Sequence, residues 1–300
     1  MKSLDELITN LKHQKSNKVA VAQAADKEVL LAVKKAVELQ LATFILTGDK
    51  EEIQRLAEEV ELDVHARSEI QIVDCLNEEA SLEAVKSVNK GSAHVVMKGN
   101  VDTKSLLKAV LDKQYGLRTG RILSHVALFE IPGQERLIFL TDSAMNIAPT
   151  LEEKVQIVKN AVDVAKRSGW AMPKVAPLAA VEVINPSMQA TIDAASLTQM
   201  NRRGQISGCV IDGPLAFDNA VSRISADQKG INSEVAGNAD ILMVPTIEVA
   251  NALYKSFMYF AHAKVAAVIS GASAPIVLTS RSDTSESKVY SLALALHSSK

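Results

Sequence analysis

The chain has 300 residues, 47% apolar and 23% charged, a balance that excludes a disordered chain and predicts a soluble globular protein of more than one domain. Its 33 basic and 35 acidic residues leave a net charge of -2 without a basic stripe, so nucleic acid is not an expected partner. No apolar run reaches the about 18 residues of a membrane-spanning helix, and Cys75 and Cys209 are too few and too far apart for a disulfide framework or a zinc site.

Near the start, Leu4, Leu7, Ile8 and Leu11 stand at helical spacing and no uninterrupted secretory run precedes them. The expectation is a cytoplasmic protein without an export signal, with both cysteines as core thiols. Strand-like runs at Val19–Ala22, Thr43–Thr47, Ile70–Val73 and His94–Met97 then alternate with helical-period segments at Lys27–Leu41, Glu51–Glu59, Leu82–Val88 and Thr103–Leu111. That alternation predicts a doubly wound parallel sheet.

Leu123–Ile131 and Leu137–Leu140 flank Pro132-Gly133-Gln134-Glu135-Arg136 and read as a hairpin at a domain border. Alternation resumes over Leu151–Arg167, Val175–Val183, Met188–Met200, Ala239–Val244, Ile247–Phe260 and Val265–Ile269. Glu286–His297 has helical-period apolar residues and is expected to return to the first domain. The predicted architecture is therefore two doubly wound α/β domains with an interdomain cleft. The first takes residues 1–140 plus 275–300 and the second residues 141–274.

Neither GxGxxG nor GxxxxGK[ST] occurs, which weighs against a standard Rossmann cofactor and a P-loop. The six histidines show no HExxH pairing and no ligand-spaced partners, so no metal is expected. Cys209 lies in an apolar run without an adjacent histidine and reads as core.

In open α/β sheets the ligand crevice lies beyond the carboxyl ends of strands. Four places fit. After the apolar run Ala274–Leu278 comes Thr279-Ser280-Arg281-Ser282-Asp283-Thr284, in which Arg281 suits phosphate or carboxylate. Asp142 and Asn146 follow Leu140 within Thr141-Asp142-Ser143-Ala144-Met145-Asn146, and Asp212 follows Ile211. After Pro245 a helix start offers backbone N–H groups to an anion, with Asn251 and Lys255 further along. The plain alternatives are a surface loop with an Arg–Asp ion pair and, for Lys255, a solvated helix face.

Together these windows resemble the phosphate acetyl/butyryltransferase family. The likeness runs through VLDKQYGLRTGRILSHVALFE, TDSAMNIAPTLEEKVQIVKNAV, AAVEVINPSMQATIDAA, RGQISGCVIDGPLAFDNAVS, VAGNADILMVP, LYKSF and APIVLTSRSDTSESK. The resemblance implies an isocitrate/isopropylmalate dehydrogenase-like fold and a homodimer or larger homo-oligomer. It also implies reversible transfer of a short acyl group, butyryl, between coenzyme A and inorganic phosphate, giving butyryl phosphate and CoA without an acyl-enzyme. CoA is then a substrate, and no cofactor is required. Under that resemblance Arg281 holds the phosphoryl group, Ser280 donates to the developing oxyanion or leaving group, and Lys255 lies near the CoA or phosphate site.

The family pattern expects aspartate at Ser287, which leaves the base open between Asp283, the first choice, and Glu286. Aspartate and glycine are likewise expected at Thr246 and Ala250. A phosphate acetyltransferase, or a family member that binds CoA or acyl phosphate without turnover, are the alternatives.

Overall fold

The structure is a computed structural model that describes residues 1–11, 17–64, 67–278 and 284–299. Residues 4–121 form α1 (Leu4–Leu11), β1 (Lys18–Ala22), α2 (Lys27–Glu38), β2 (Thr43–Gly48), α3 (Lys50–Glu59), β3 (Ile70–Asp74), α4 (Ala80–Asn89), β4 (Val95–Lys98) and α5 (Thr103–Val110). The middle of the chain forms β5 (Ser124–Glu130), β6 (Ile138–Thr141), α6 (Leu151–Arg167), β7 (Lys174–Pro177), α7 (Gln189–Arg202), β8 (Val210–Ile211), α8 (Phe217–Val221), α9 (Arg223–Gln228), β9 (Ile241–Met243) and α10 (Ile247–Tyr259). β10 (Lys264–Ser270), β11 (Ile276–Val277) and α11 (Ser285–Ser298) follow.

The chain packs as two compact units: a terminal unit, Leu4–Arg121 with Ala266–Lys300, and a central unit, Ile122–Val265 with Met1–Ser3. These borders lie at 121 and 265, whereas the sequence reading placed them at 140 and 274. The hairpin belongs to the central unit because β6 pairs with β5 on one side and β9 on the other.

In the terminal unit the strand order is β3-β2-β1-β4-β11-β10. The pairs are parallel up to β11, which meets β10 in antiparallel fashion. β1, β2 and β4 are almost wholly buried, as strands covered by helices on both faces must be. Aspartates cap the helices that leave this sheet: Asp26, Asp49 and Asp102 accept from the third residue onward in α2, α3 and α5. α11 packs on α1 and α2, as expected from its apolar period, and every residue from Lys288 to His297 is buried.

The central sheet runs β5-β6-β9-β7-β8, with β5 antiparallel to β6 and the rest parallel. α6 starts at a capping box, in which Thr150 and Glu153 satisfy each other's backbone N–H, and packs on β5, β6 and β9. Two expectations change. The apolar run Val175–Val183 yields only the strand Lys174–Pro177, because the chain leaves the sheet after the bridge of Leu178 to Leu215 and exposes Val183 and Ile184. Short apolar runs carry too little periodicity to mark that exit. The short helices α8 and α9 were not anticipated.

Candidate active site

The carboxyl ends of the central parallel strands share one edge. Thr141 is level with Met243, and Met243 with Pro177. At this edge β6 runs into Asp142–Asn146, β9 into Pro245 and Thr246, and β8 into Asp212-Gly213-Pro214.

Asp142 organises the first of these loops. It is 3% exposed. Its carboxylate accepts the backbone N–H of Ala144 and Met145 at 3.0 Å each and of Asn146 at 3.2 Å. Asn146 Nδ2 also donates to Asp142 Oδ2 at 2.5 Å and to the Leu123 carbonyl at 2.9 Å. Both residues were expected to bind substrate, and the structure brings them together with their side chains engaged in the loop itself. Below them Ser143 Oγ lies 2.7 Å from His125 Nδ1 within the core, and the Thr141 hydroxyl donates to the His125 carbonyl. The Tyr254 ring meets His125 edge-on.

The start of α10 is tied to the same loop, since Ile247 N–H donates to the Ile147 carbonyl at 2.9 Å. Its N-cap, Thr246, makes no side-chain cap bond. The Thr246 hydroxyl instead bonds to Glu248 and holds that carboxyl below the usual range. Beyond Ile247 the first turn of α10 therefore keeps the positive end of the helix dipole at this edge without a side-chain cap. The Thr246 and Ala250 departures fall here, with Ala250 fully buried in the helix face.

Asn251 and Lys255 are exposed one turn apart on the same face of α10. Lys255 lies about 13 Å along the axis from Thr246, on the flank of the helix, with its Nζ 6.0 Å from the Tyr254 ring centroid. Asp212 stands three strand places from β6, about 14 Å along the edge, and pairs with Arg202 at 3.5 Å. The structure does not bring Asp212 to the Asp142 loop.

The terminal sheet has its own crevice position. Its strand order reverses direction between β1 and β4, the point where open α/β sheets bind ligands. Here Gly99 N–H donates to the Ala22 carbonyl at 2.9 Å and Asn100 N–H to the Gln23 carbonyl at 2.7 Å. Lys98, 6% exposed, ends β4. Since Val277 pairs with Met97, Leu278 comes level with Lys98, directly before Thr279. Ser280, Arg281 and Asp283 lie outside the described residues.

Glu286 is exposed in the first turn of α11 and accepts from the Tyr290 hydroxyl at 3.2 Å, which also donates to Asp5 at 2.8 Å. Burial and these carboxylates push the Tyr290 phenol well above its ordinary range. Ser287, the departure where aspartate was expected, donates its N–H to Thr284 Oγ1 at 3.2 Å and so serves the α11 N-cap.

Cys209 is buried, and burial pushes its thiol up to about 11, the state of a packed thiol rather than a nucleophile. Cys75, expected in the core, is half-buried instead. Among the described residues no three His, Cys, Asp or Glu side chains are grouped to hold a metal. Sequence reasoning passed over His125 with Ser143, Lys98, and the buried pair Lys154–Asp193. These are isolated polar residues inside apolar or helical patterns, and nothing in their spacing sets them apart from surface positions.

Comparison with known proteins completes the picture. The family described as Phosphate acetyl/butaryl transferase matches residues 3–82 and 68–296. A probable phosphate butyryltransferase of Bacillus subtilis is 55% identical over 99% of this chain and 98% of its own length. The phosphate butyryltransferase of Clostridium beijerinckii is 50% identical over 98% of this chain and 97% of its own. The crystal structure of a branched-chain phosphotransacylase from Enterococcus faecalis V583 superposes with a TM-score of 0.82 at 37% identity, covering 94% of this chain and 99% of that one. The fold, the polar loops at the strand ends and these matches agree that the chain belongs to the phosphate acetyl/butaryl transferase family of acyltransferases.

Proposed function

We propose that this protein catalyses the reversible conversion of butyryl-CoA and inorganic phosphate to butyryl phosphate and CoA. The observation that carries the reading is the similarity of 50–55% identity to butyryltransferases along nearly the whole of both chains. The N-terminus of α10, which has no side-chain cap, suits an anionic substrate and supports it.

Transfer toward acyl-CoA needs three things: removal of the CoA thiol proton, charge stabilisation on the carbonyl oxygen, and a hold on the departing phosphate. Arg281 takes the phosphoryl group, Ser280 donates to the oxyanion, and Asp283 is the first candidate for the base. Glu286, which accepts from the Tyr290 hydroxyl, is the second. The Asp142–Asn146 loop and the start of α10 form the second anion-facing surface. Asn251 and Lys255 on the flank of α10 suit the polar length of CoA, and Asp212 its outer part. CoA serves as a substrate, without a further cofactor. The enzyme works in the cytoplasm as a homodimer or larger homo-oligomer, and among the described residues no helix is long and apolar enough to cross a membrane.

The test is phosphate-dependent release of CoA thiol from butyryl-CoA, with acetyl-CoA and a branched-chain acyl-CoA in parallel. Release that requires phosphate and is fastest with butyryl-CoA supports the assignment. Preference for acetyl-CoA makes the enzyme a phosphate acetyltransferase, and CoA binding without release makes it a non-catalytic binder.

A further inference from the structure

Lys154 and Asp193 form an ion pair of 2.5 Å inside the central unit, their side chains 6% and 9% exposed. Lys154 lies in the first turns of α6 and Asp193 in those of α7. The second oxygen of Asp193 accepts from Gln189 Nε2 at 2.8 Å. Desolvating two charges is costly, and well-packed apolar residues of similar size generally serve stability as well or better. A buried pair at this spot calls for a geometric reason.

That reason lies in α7. Its buried residues are Thr191, Asp193, Ala194, Leu197 and Thr198, so little apolar surface fixes its rotation or its height. Its polar face nevertheless carries the neighbouring loops. Thr191 Oγ1 accepts from Asn185 N–H at 2.9 Å and contacts the Asn185 and Met188 carbonyls, holding the loop after β7. Thr198 Oγ1 reaches the Gly213 carbonyl at 3.2 Å, holding the loop after β8. Asn201 Nδ2 donates to the Ile206 and Cys209 carbonyls, and its Oδ1 accepts from Ile211 N–H at 3.0 Å. These residues recur at helical spacing, so one rotation of α7 would disturb all of them together. α6 follows directly from the loop organised by Asp142.

We propose that the Lys154–Asp193 pair is a positioning element of the acyl-transfer site, which locks α7 to α6 and thereby fixes the loops after β7 and β8 at the strand-end edge that the Asp142 loop shares. The proposal rests on the acyltransferase reading for its kinetic consequence and on the contacts above for its structural one. Neither residue is a catalytic group, because each is occupied by the other.

The experiment compares the full-length protein with the double variant Lys154→Met/Asp193→Leu, which removes both charges and keeps the volume. The expected result is a wild-type melting temperature with kcat for butyryl transfer lowered at least about tenfold and KM changed less than about threefold. Amide hydrogen exchange at Asn185–Met188 and Cys209–Gly213 is expected to quicken by about tenfold while β6 and β9 are unchanged. A double variant that keeps both wild-type kcat and wild-type exchange overturns the proposal. If the double variant does not fold, Thr198→Val decides. Faster exchange confined to the loop after β8 with lowered kcat supports the role of α7, and an unchanged kcat refutes it. If the wild type proves inactive with every acyl-CoA, the acyltransferase reading fails by itself, and the exchange experiment still settles the lock.

Discussion

Asn146 binds Asp142 twice, through its backbone N–H at 3.2 Å and its side-chain amide at 2.5 Å, closing the loop at the carboxyl end of β6 on a single buried carboxylate. Asp142→Ala removes the acceptor for three backbone N–H groups and one amide. The expected loss is roughly 2–4 kcal/mol of stability in urea unfolding, together with a fall of about a hundredfold in kcat/KM because the loop loses its shape. Asp142→Asn keeps one acceptor oxygen and is expected to lose less of both.

Gly99→Ala tests the end of β4. A Cβ there would stand 2.2 Å from the Gln23 carbonyl oxygen and 2.6 Å from that of Ala22, both backbone atoms that cannot swing aside. The strands β1 and β4 would have to separate, so the variant is expected to be destabilised by about 3 kcal/mol or more, read as a lower urea midpoint. Gly133→Ala, where no atom lies near the added Cβ but φ is +78°, is expected to cost only about 1 kcal/mol.

Cys209 supplies a pH prediction. Its folded-state thiol is raised to about 11 from an ordinary 9.0, with burial as the first cause. A raised value means that the neutral thiol contributes its full stability below pH 9 and loses it as pH climbs toward 11. The contribution at stake is roughly 2–3 kcal/mol. Urea midpoints of the wild type and Cys209→Ala are therefore expected to converge between pH 9 and 11. At pH 8 the native Cys209 should resist a thiol reagent that labels it at once in urea, and Cys209→Ala should keep wild-type turnover.

The assignment of roles beyond Leu278 is tested by three substitutions measured in parallel. Arg281→Ala is expected to lower kcat about 10²–10³-fold with an unchanged melting temperature. Asp283→Asn should lower kcat about 10²–10⁴-fold through loss of the general base, whereas Glu286→Gln should leave kcat nearly intact and weaken only the contact to Tyr290. Loss of kcat in Glu286→Gln and its retention in Asp283→Asn would exchange the two assignments.

The alternation of strands and helices was legible because buried parallel strands read as continuous β-branched runs and the helices as amphipathic periods. Leu151–Arg167 falls on α6 residue for residue. The exit of the chain after Pro177 was not legible, since Val181 and Val183 continue the apolar run while Val183 is exposed. At the site, Asp142 and Asn146 were visible as polar residues that end a strand, but not that they bind each other. Lys154 and Asp193 were hidden for the opposite reason. A lysine and an aspartate on two helices look solvated in sequence, and only the packing of α6 on α7 shows them sealed in.

The terminal unit is assembled from two separate stretches, 4–121 and 266–300, whereas the central unit is almost one continuous stretch. Synthesis runs from the N-terminus, so residues 4–121 are made well before the β11 and α11 that pack with them. The sheet of the terminal unit is therefore finished only by the last part of the chain, which supplies β11 beside β4 and α11 over α1 and α2.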